Sequence, residues 1–234
     1  MRETVLITGA NRGLGLALAK EFAGQDWQVL AGARADHGGL ADLVKRFPHA
    51  SVVSLDVTDV DSVRNAARQV SERATGLDIL INNAAIFPEE GTPPLAELDL
   101  TDMHLQRTME VNVLGPLRVT QQFLPLLERG QRKLILNVSS EAGSIADCRR
   151  KSQYAYCMSK AALNMQSRIL QNDLGRKGFK VLAVHPGWMQ TDMGGPDATV
   201  PPDVSAAGIF RLAMRHWDPS DEIYWDYRGN SLRW

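Results

Sequence analysis

Cysteine is scarce: Cys148 and Cys157 are the only two in 234 residues. Two thiols in a chain this long fit a reducing compartment better than a disulfide framework. Histidine is thin as well. His37, His49, His104, His185 and His216 are scattered without metal-ligand spacing, so no metal site is expected. A surplus of either charge is missing. The net charge of −1 gives no electrostatic case for nucleic acid or an anionic membrane surface. No stretch approaches the roughly 18–20 apolar residues of a membrane span. Met1-Arg2-Glu3 runs straight into a strand-like segment and leaves no room for a signal peptide, so a cytoplasmic location is expected. Internal repeats and low-complexity tracts are also lacking. What remains is 44% apolar, enough for a sizeable core, and its length fits a single domain spanning 1–234.

Short β-branched runs alternate with longer helical patterns. Strands are predicted at Val5–Thr8, Gln28–Ala33, Ser51–Leu55, Ile79–Asn82, Lys133–Val138 and Val181–His185. Helices are predicted at Leu14–Ala23, Leu40–Phe47, Val60–Ala74, Met103–Leu127 and Ala155–Asp173, where apolar residues recur at three- and four-residue spacing. This alternation means parallel strands joined by right-handed crossovers, with helices on both faces. Two loops, Ile86–Asp99 and Asp192–Asp203, are long and rich in Gly and Pro. Both follow predicted strands, where open α/β sheets bind ligands.

The stretch ITGANRGLG, Ile7 to Gly15, joins the first strand to the first helix. Glycines there permit a tight turn, close approach of backbone to a pyrophosphate, and close helix–strand packing. The helix amino terminus offers N–H groups and a positive dipole end to phosphates. An ordinary structural turn would also use glycine. Tyr156 and Lys160 stand four apart on a predicted helix and so share a face. An ammonium beside a phenol favours the phenolate and lowers a pKa that is normally about 10. The plainer account is a buried tyrosine and an exposed lysine that merely share that face.

Further motifs follow in order: Asp56-Val57, Asn82-Asn83-Ala84-Ala85, Asn112, Asn137-Val138-Ser139-Ser140, Tyr156-x-x-x-Lys160 and Pro186-Gly187. With Thr8-Gly9-x-x-x-Gly13-x-Gly15, this set resembles the short-chain dehydrogenases/reductases over almost the whole chain. The one departure is Ala85, where the family usually has Gly, a change of one methyl group. HPGWMQTDMGG and the ending EIYWDYRGNSLRW resemble a narrower branch, the sniffer-type carbonyl reductases and the C-factor-like signalling proteins. The resemblance implies an α/β fold: one Rossmann-type domain, doubly wound around a parallel sheet of about seven strands.

The resemblance also implies roles. Tyr156 would protonate the alkoxide that forms as nicotinamide delivers hydride to a carbonyl carbon, and Lys160 would support it. Ser140 would hydrogen-bond the carbonyl oxygen, with Ser139 as the alternative register. The Ser140–Tyr156 interval is a few residues longer than the family's commonest spacing, which implies an extended loop at Asp147–Gln153. Asn112 would hold a water linking Lys160 to solvent, or else simply cap or kink its helix before Gly115-Pro116. Tyr154 is a rival tyrosine without a lysine four residues on.

The implied cofactor site comprises Gly9, Asn11, Arg12, Gly13, Leu14 and Gly15 in the turn, and Arg34 after the second strand. Asp56 and Val57 would meet the adenine, Asn83 and Ala84 the adenine ribose region, and Ala85 would put its methyl group near the cofactor. Tyr156, Lys160, Pro186, Gly187, Met189 and Thr191 would line the nicotinamide side. The second strand ends Ala31-Gly32-Ala33-Arg34, with no acid before Asp36. Arg34 and Arg12 would face a 2′-phosphate, which favours NADP(H) over NAD(H). In the competing reading both arginines are surface charges and Asp36 grips the ribose.

The expected activity is NADPH-dependent reduction of a small aldehyde, ketone or quinone. The alternatives are a C-factor-like nucleotide-binding signalling protein with little turnover, and a 3-oxoacyl-carrier-protein reductase. A homodimer or homotetramer through the long helices is a further expectation. Arg149-Arg150-Lys151 is read as a solvated loop or an attractor of acidic substrates, and Cys157 as a buried inert thiol. Trp188 and Phe87 are read as pocket or core. Gly194–Pro202 is read as a mobile lid or an ordered surface loop.

Overall fold

Side chains alternate along strand β1 (Thr4–Thr8): Val5 and Ile7 enter one core layer, Leu6 the other. The same two-residue period runs through β2 (Gln28–Ala33), β4 (Ile79–Asn82) and β5 (Leu134–Val138), so the sheet is apolar on both faces. β3 (Ala50–Ser54), β6 (Lys180–His185) and β7 (Tyr224–Asp226) complete a seven-stranded parallel sheet in the order β3-β2-β1-β4-β5-β6-β7. The computed structural model describes residues 2–34, 39–87, 95–99, 104–218 and 220–234.

Helices α1 (Gly13–Gly24), α2 (Gly39–Arg46) and α7 (Pro202–Met214) supply the layer that meets Val5 and Ile7. Helices α3 (Val60–Ser71), α5 (Gly115–Arg129) and α6 (Tyr154–Leu174) supply the layer that meets Leu6. Val5 pairs with both Val29 and Ile79, which places β1 at the point where the strand order reverses. A crevice opens at such a point beyond the carboxyl ends of the strands.

The structure corrects two readings of the sequence. The predicted helix Met103–Leu127 is not continuous. Its first residue lies outside the described residues; α4 (His104–Met109) then passes through a π-helical turn, Glu110–Leu114, before α5 begins. Pro116 has no N–H for the carbonyl of Asn112 four residues earlier, so the α-helical ladder breaks there, and Gly115 N–H reaches back to Glu110 O instead. The stretch Asp192–Asp203 is no simple loop. Met189 pairs with Val200, Trp188 Nε1 donates to Gly194 O at 2.8 Å, and α7 opens at Pro202. Ala198 and Val200 are buried, so Gly194–Pro202 packs as an ordered surface segment. Of the loop Ile86–Asp99, residues 88–94 lie outside the described residues; a 3₁₀ turn occupies Leu95–Glu97.

Candidate active site

A groove of about 1100 Å³ follows the carboxyl ends of β1, β2, β4, β5 and β6. Every residue assigned to the cofactor by resemblance lines it except Gly187. Gly187 sits at φ +86, and a Cβ there would meet Tyr227 Cε1 at 2.9 Å, so packing accounts for it. A smaller cavity of about 720 Å³, lined by Arg2, Glu3 and Asp78, opens at the opposite edge of the sheet, where the strands begin.

The glycine turn has reasons of two kinds. A Cβ on Gly15 would stand 2.2 Å from Gly9 O, so that glycine lets helix and turn close on each other. Gly13 adopts φ +53, a left-handed conformation that costs glycine little. Arg12, extended at φ −158, precedes α1 without making a side-chain cap, so no side chain of that residue claims the amides of the first turn. Those amides and the positive end of the helix fit a pyrophosphate. Thr8 Oγ1 accepts the N–H groups of Asn83 and Ala84, each at 3.0 Å. Asn83 Nδ2 donates to Thr8 O at 2.8 Å and Gly9 O at 3.2 Å. The Asn83 side chain therefore fastens the end of β4 to the glycine turn.

Charge at the adenine end is mixed. Burial pushes the Asp56 carboxyl up, but two hydrogen bonds from Thr58 and the charges of Arg34 and Arg107 outweigh it and hold it below its usual range. Arg34 is exposed and makes no hydrogen bond or ion pair among the described residues. Asp36 lies outside the described residues. Arg12 pairs with Asp192 at 2.6 Å across the mouth of the groove.

At the other end, Ser140, Tyr156 and Lys160 converge. Tyr156 and Ser140 share a side-chain hydrogen bond. Ser139 spends its hydroxyl on Asn164 Oδ1 at 2.6 Å. Lys160, 2% exposed, places Nζ 5.6 Å from the Tyr156 ring centroid and donates to Val138 O at 2.8 Å. Phe87 meets the Tyr156 ring edge-on at 4.9 Å, whereas Trp188 is half exposed and belongs to no core layer. Tyr154 is exposed at the first turn of α6. The expected lowering of the tyrosine pKa is overturned in this structure. Burial dominates and pushes Tyr156 up to about 12, the Ser140 hydrogen bond offsetting only part of it. Burial likewise lowers Lys160 to about 8.

Asn112 sits in the π-helical turn, 1% exposed. Its Oδ1 accepts from Ile86 N–H at 2.9 Å, and its Nδ2 donates to Ile86 O at 3.0 Å and Ser159 Oγ at 3.1 Å. Both ends of the amide are thus committed to the chain after β4, which carries Phe87. Arg150 is tied to Glu141 and Gln153, and Arg149 and Lys151 are solvated. Cys157 is half-buried rather than buried. The sequence alone did not single out Ser159, Asn164 or Tyr224, and gave Thr8 only as the head of the glycine motif; each braces the site through a hydrogen bond no spacing rule encodes.

Strand order, reversal point and glycine turn define a Rossmann-type α/β protein. The family model for short chain dehydrogenases matches residues 3–199, and the chain belongs to that family. It is 43% identical to the C-signal protein of Myxococcus xanthus over 158 residues, 68% of this chain and 93% of that one. It is 32% identical to 1-hydroxy-2-glutathionyl-2-methyl-3-butene dehydrogenase of Rhodococcus sp., with 99% of each chain covered. Among solved structures, NADPH-bound carbonyl reductase from chicken fatty liver superposes with TM-score 0.90 at 32% identity, covering 100% of both chains. Carbonyl reductase Sniffer of Drosophila melanogaster gives the same TM-score at 28% identity, again over 100% of both.

Proposed function

We propose that one domain, residues 1–234, both binds NADP(H) and reduces the carbonyl of a small aldehyde, ketone or quinone. The observation that carries this reading is that Tyr156, hydrogen-bonded to Ser140, and the buried Lys160 line the same groove as the glycine turn at the α1 amino terminus. Bound NADPH supplies hydride. The chain supplies the rest. The α1 amino terminus holds the pyrophosphate, Arg34 and Arg12 face the 2′-phosphate, and Met189 and Thr191 line the nicotinamide side. Ser140 Oγ and the Tyr156 hydroxyl both address the substrate oxygen. A tyrosine near pKa 12 is protonated at neutral pH, the form a proton donor needs. Lys160, with Nζ 5.6 Å from the Tyr156 ring centroid, relays protons towards the phenol. Because the Asn112 side chain is committed, a water in that relay would rest on its backbone carbonyl, the one Pro116 cannot reach.

Phe87 against the Tyr156 ring, with Ile86 and Met193 lining the groove, gives that end an apolar character, which suits small uncharged carbonyl compounds. The likeness to NADPH-bound carbonyl reductase supports both cofactor and chemistry. Two cysteines and the expected cytoplasmic location agree with this reading. Exposed Leu114, Leu117, Met158, Met165 and Ile169 on the π turn, α5 and α6 support a homodimer or homotetramer, to be read by sedimentation. A signalling protein with little turnover is the second reading, favoured by the identity to C-signal.

The test is a spectrophotometric screen of aldehydes, ketones and quinones with NADPH and NADH side by side. Carbonyl-dependent loss of nicotinamide absorbance, abolished in Tyr156→Phe while NADPH binding persists, is the expected result. Micromolar NADPH binding without turnover across the panel would promote the second reading.

A further inference from the structure

We propose that Tyr224 and Trp234 are positioning residues, which hold Ser140 and the segment leading from it towards Tyr156 from outside the cofactor groove. The inference rests on the carbonyl-reductase reading and gives a task to the ending EIYWDYRGNSLRW, which the cofactor site leaves without one.

Tyr224 in β7 is fully buried, and its hydroxyl donates to Ser140 O at 2.6 Å. The same phenol has a side-chain hydrogen bond with Asn164 of α6. Asn164 in turn accepts from Ser139 Oγ at 2.6 Å and donates to Gly143 O at 3.2 Å. One buried tyrosine thus joins β7, α6 and the chain just beyond β5. The Trp234 ring stacks on Tyr224 with centroids 5.0 Å apart and planes 28° apart, and Arg168 of α6 covers it at 5.3 Å. The backbone oxygen of Trp234 accepts Ala146 N–H at 2.8 Å, and Arg233 pairs with Asp147. Leu232 N–H returns to Tyr224 O at 2.9 Å, closing the tail on the strand it follows.

The segment held this way has little structure of its own. Between β5 and α6 it forms only the 3₁₀ turn Glu141–Gly143. Its grip comes from β7, α6 and the tail. Ser140 Oγ accepts Ala142 N–H at 3.1 Å, which leaves its hydroxyl proton and second lone pair for Tyr156 and the substrate oxygen. That aim depends on where the Ser140 carbonyl is pinned. Site geometry must hold within about 0.5 Å to act, so one hydrogen bond behind the serine matters out of proportion to its strength.

Tyr224→Phe keeps the stacked ring and removes only the hydroxyl. Three measurements decide the proposal: NADPH affinity by nicotinamide fluorescence, kcat and KM for 4-nitrobenzaldehyde, and hydrogen exchange of the amides from Ala142 to Asp147. The expected result is a kcat about tenfold lower, NADPH affinity within about twofold of the parent, and exchange across that segment at least about fivefold faster. Trp234→Ala should act in the same direction, and Trp234→Phe, which can still stack, should restore most of the loss. Unchanged exchange in Tyr224→Phe would overturn the proposal, as would kcat and NADPH affinity falling together with the melting temperature. If the parent protein reduces no carbonyl probe, the functional reading fails by itself and the exchange measurement still decides this one.

Discussion

Helix α1 buries only apolar side chains, among them Leu14, Leu18, Ala19, Phe22 and Ala23, whereas helix α6 buries Ser159, Lys160, Asn164, Gln166, Ser167 and Gln171 beside Ala155, Leu163 and Leu174. The contrast extends to the two halves of the chain. Of 19 buried polar residues described, 15 come from Thr108 onward. In the amino-terminal half apolar burial dominates, and the directed bonds gather at the glycine turn, where Thr8 and Asn83 tie β4 to β1. In the carboxyl-terminal half, side chains are fixed by directed bonds. Asn137 Nδ2 donates to Ser167 Oγ at 2.8 Å, Lys160 to Val138 O at 2.8 Å, and Gln171 Oε1 accepts Val181 N–H at 2.7 Å. Apolar contact tolerates small slips in position, and a hydrogen bond does not. The half that carries Ser140, Tyr156 and Lys160 is the half richer in bonds with direction.

The sharpest way to break this comparison is Lys160→Met. Loss of the proton relay should lower carbonyl reduction by about 10²–10⁴-fold. The melting temperature should not fall, because a buried ammonium without a carboxylate is costly. The pH dependence has a definite sign. Lys160 is charged below about 8 and neutral above, so the parent's rate should decline through that pH, and the decline should vanish in the variant. For stability the same depressed value means the unfolded chain binds more protons between about 8 and the ordinary lysine value. Stability from this group therefore rises with pH across that window.

Leu18→Ala should cost about 3 kcal/mol in denaturant unfolding through the cavity it leaves, with kcat per folded molecule retained. Asn164→Ala should do the reverse. It should cost only about 1–3 kcal/mol by stranding Ser139 and Gly143, yet depress kcat clearly. Equal loss of kcat in both would erase the distinction between the halves. Arg34→Ala should weaken NADPH binding about tenfold and leave NADH binding unchanged. The smallest effect is expected of Asp192→Asn. Freed from an exposed ion pair, Arg12 should bind NADPH about two- to threefold more tightly in a fluorescence titration.

Strands and long helices were legible in both halves, since β5, β6 and α6 also lie within a residue of their predicted bounds. Glycines at fixed offsets and alternating apolar strands are local signals, and β1, β2 and β4 stand where their patterns predict. The bonds of the carboxyl-terminal half join residues such as Tyr224 and Ser140, which lie 84 apart, and no local pattern reports them. β7 is three residues long, too short for alternation to show. The α7 pattern of Ala206, Ile209 and Leu212 was hidden behind Pro201 and Pro202, which read as loop. The π turn escaped because apolar spacing cannot tell a helix with one added residue from a helix without it. The tyrosine pKa was misjudged because sequence spacing shows the nearby charge but not the depth of burial.

That added residue sets a count the chain has to keep. Deleting one position within 110–114 would remove the added residue, while Pro116 would still interrupt the ladder. Everything before the deletion would then turn by roughly 100° about the axis. Asn112 would swing off Ile86, and Phe87 would lose the anchor that keeps it beside Tyr156. The shortened protein would keep the break at Pro116 and forfeit the clamp that Asn112 places on Ile86.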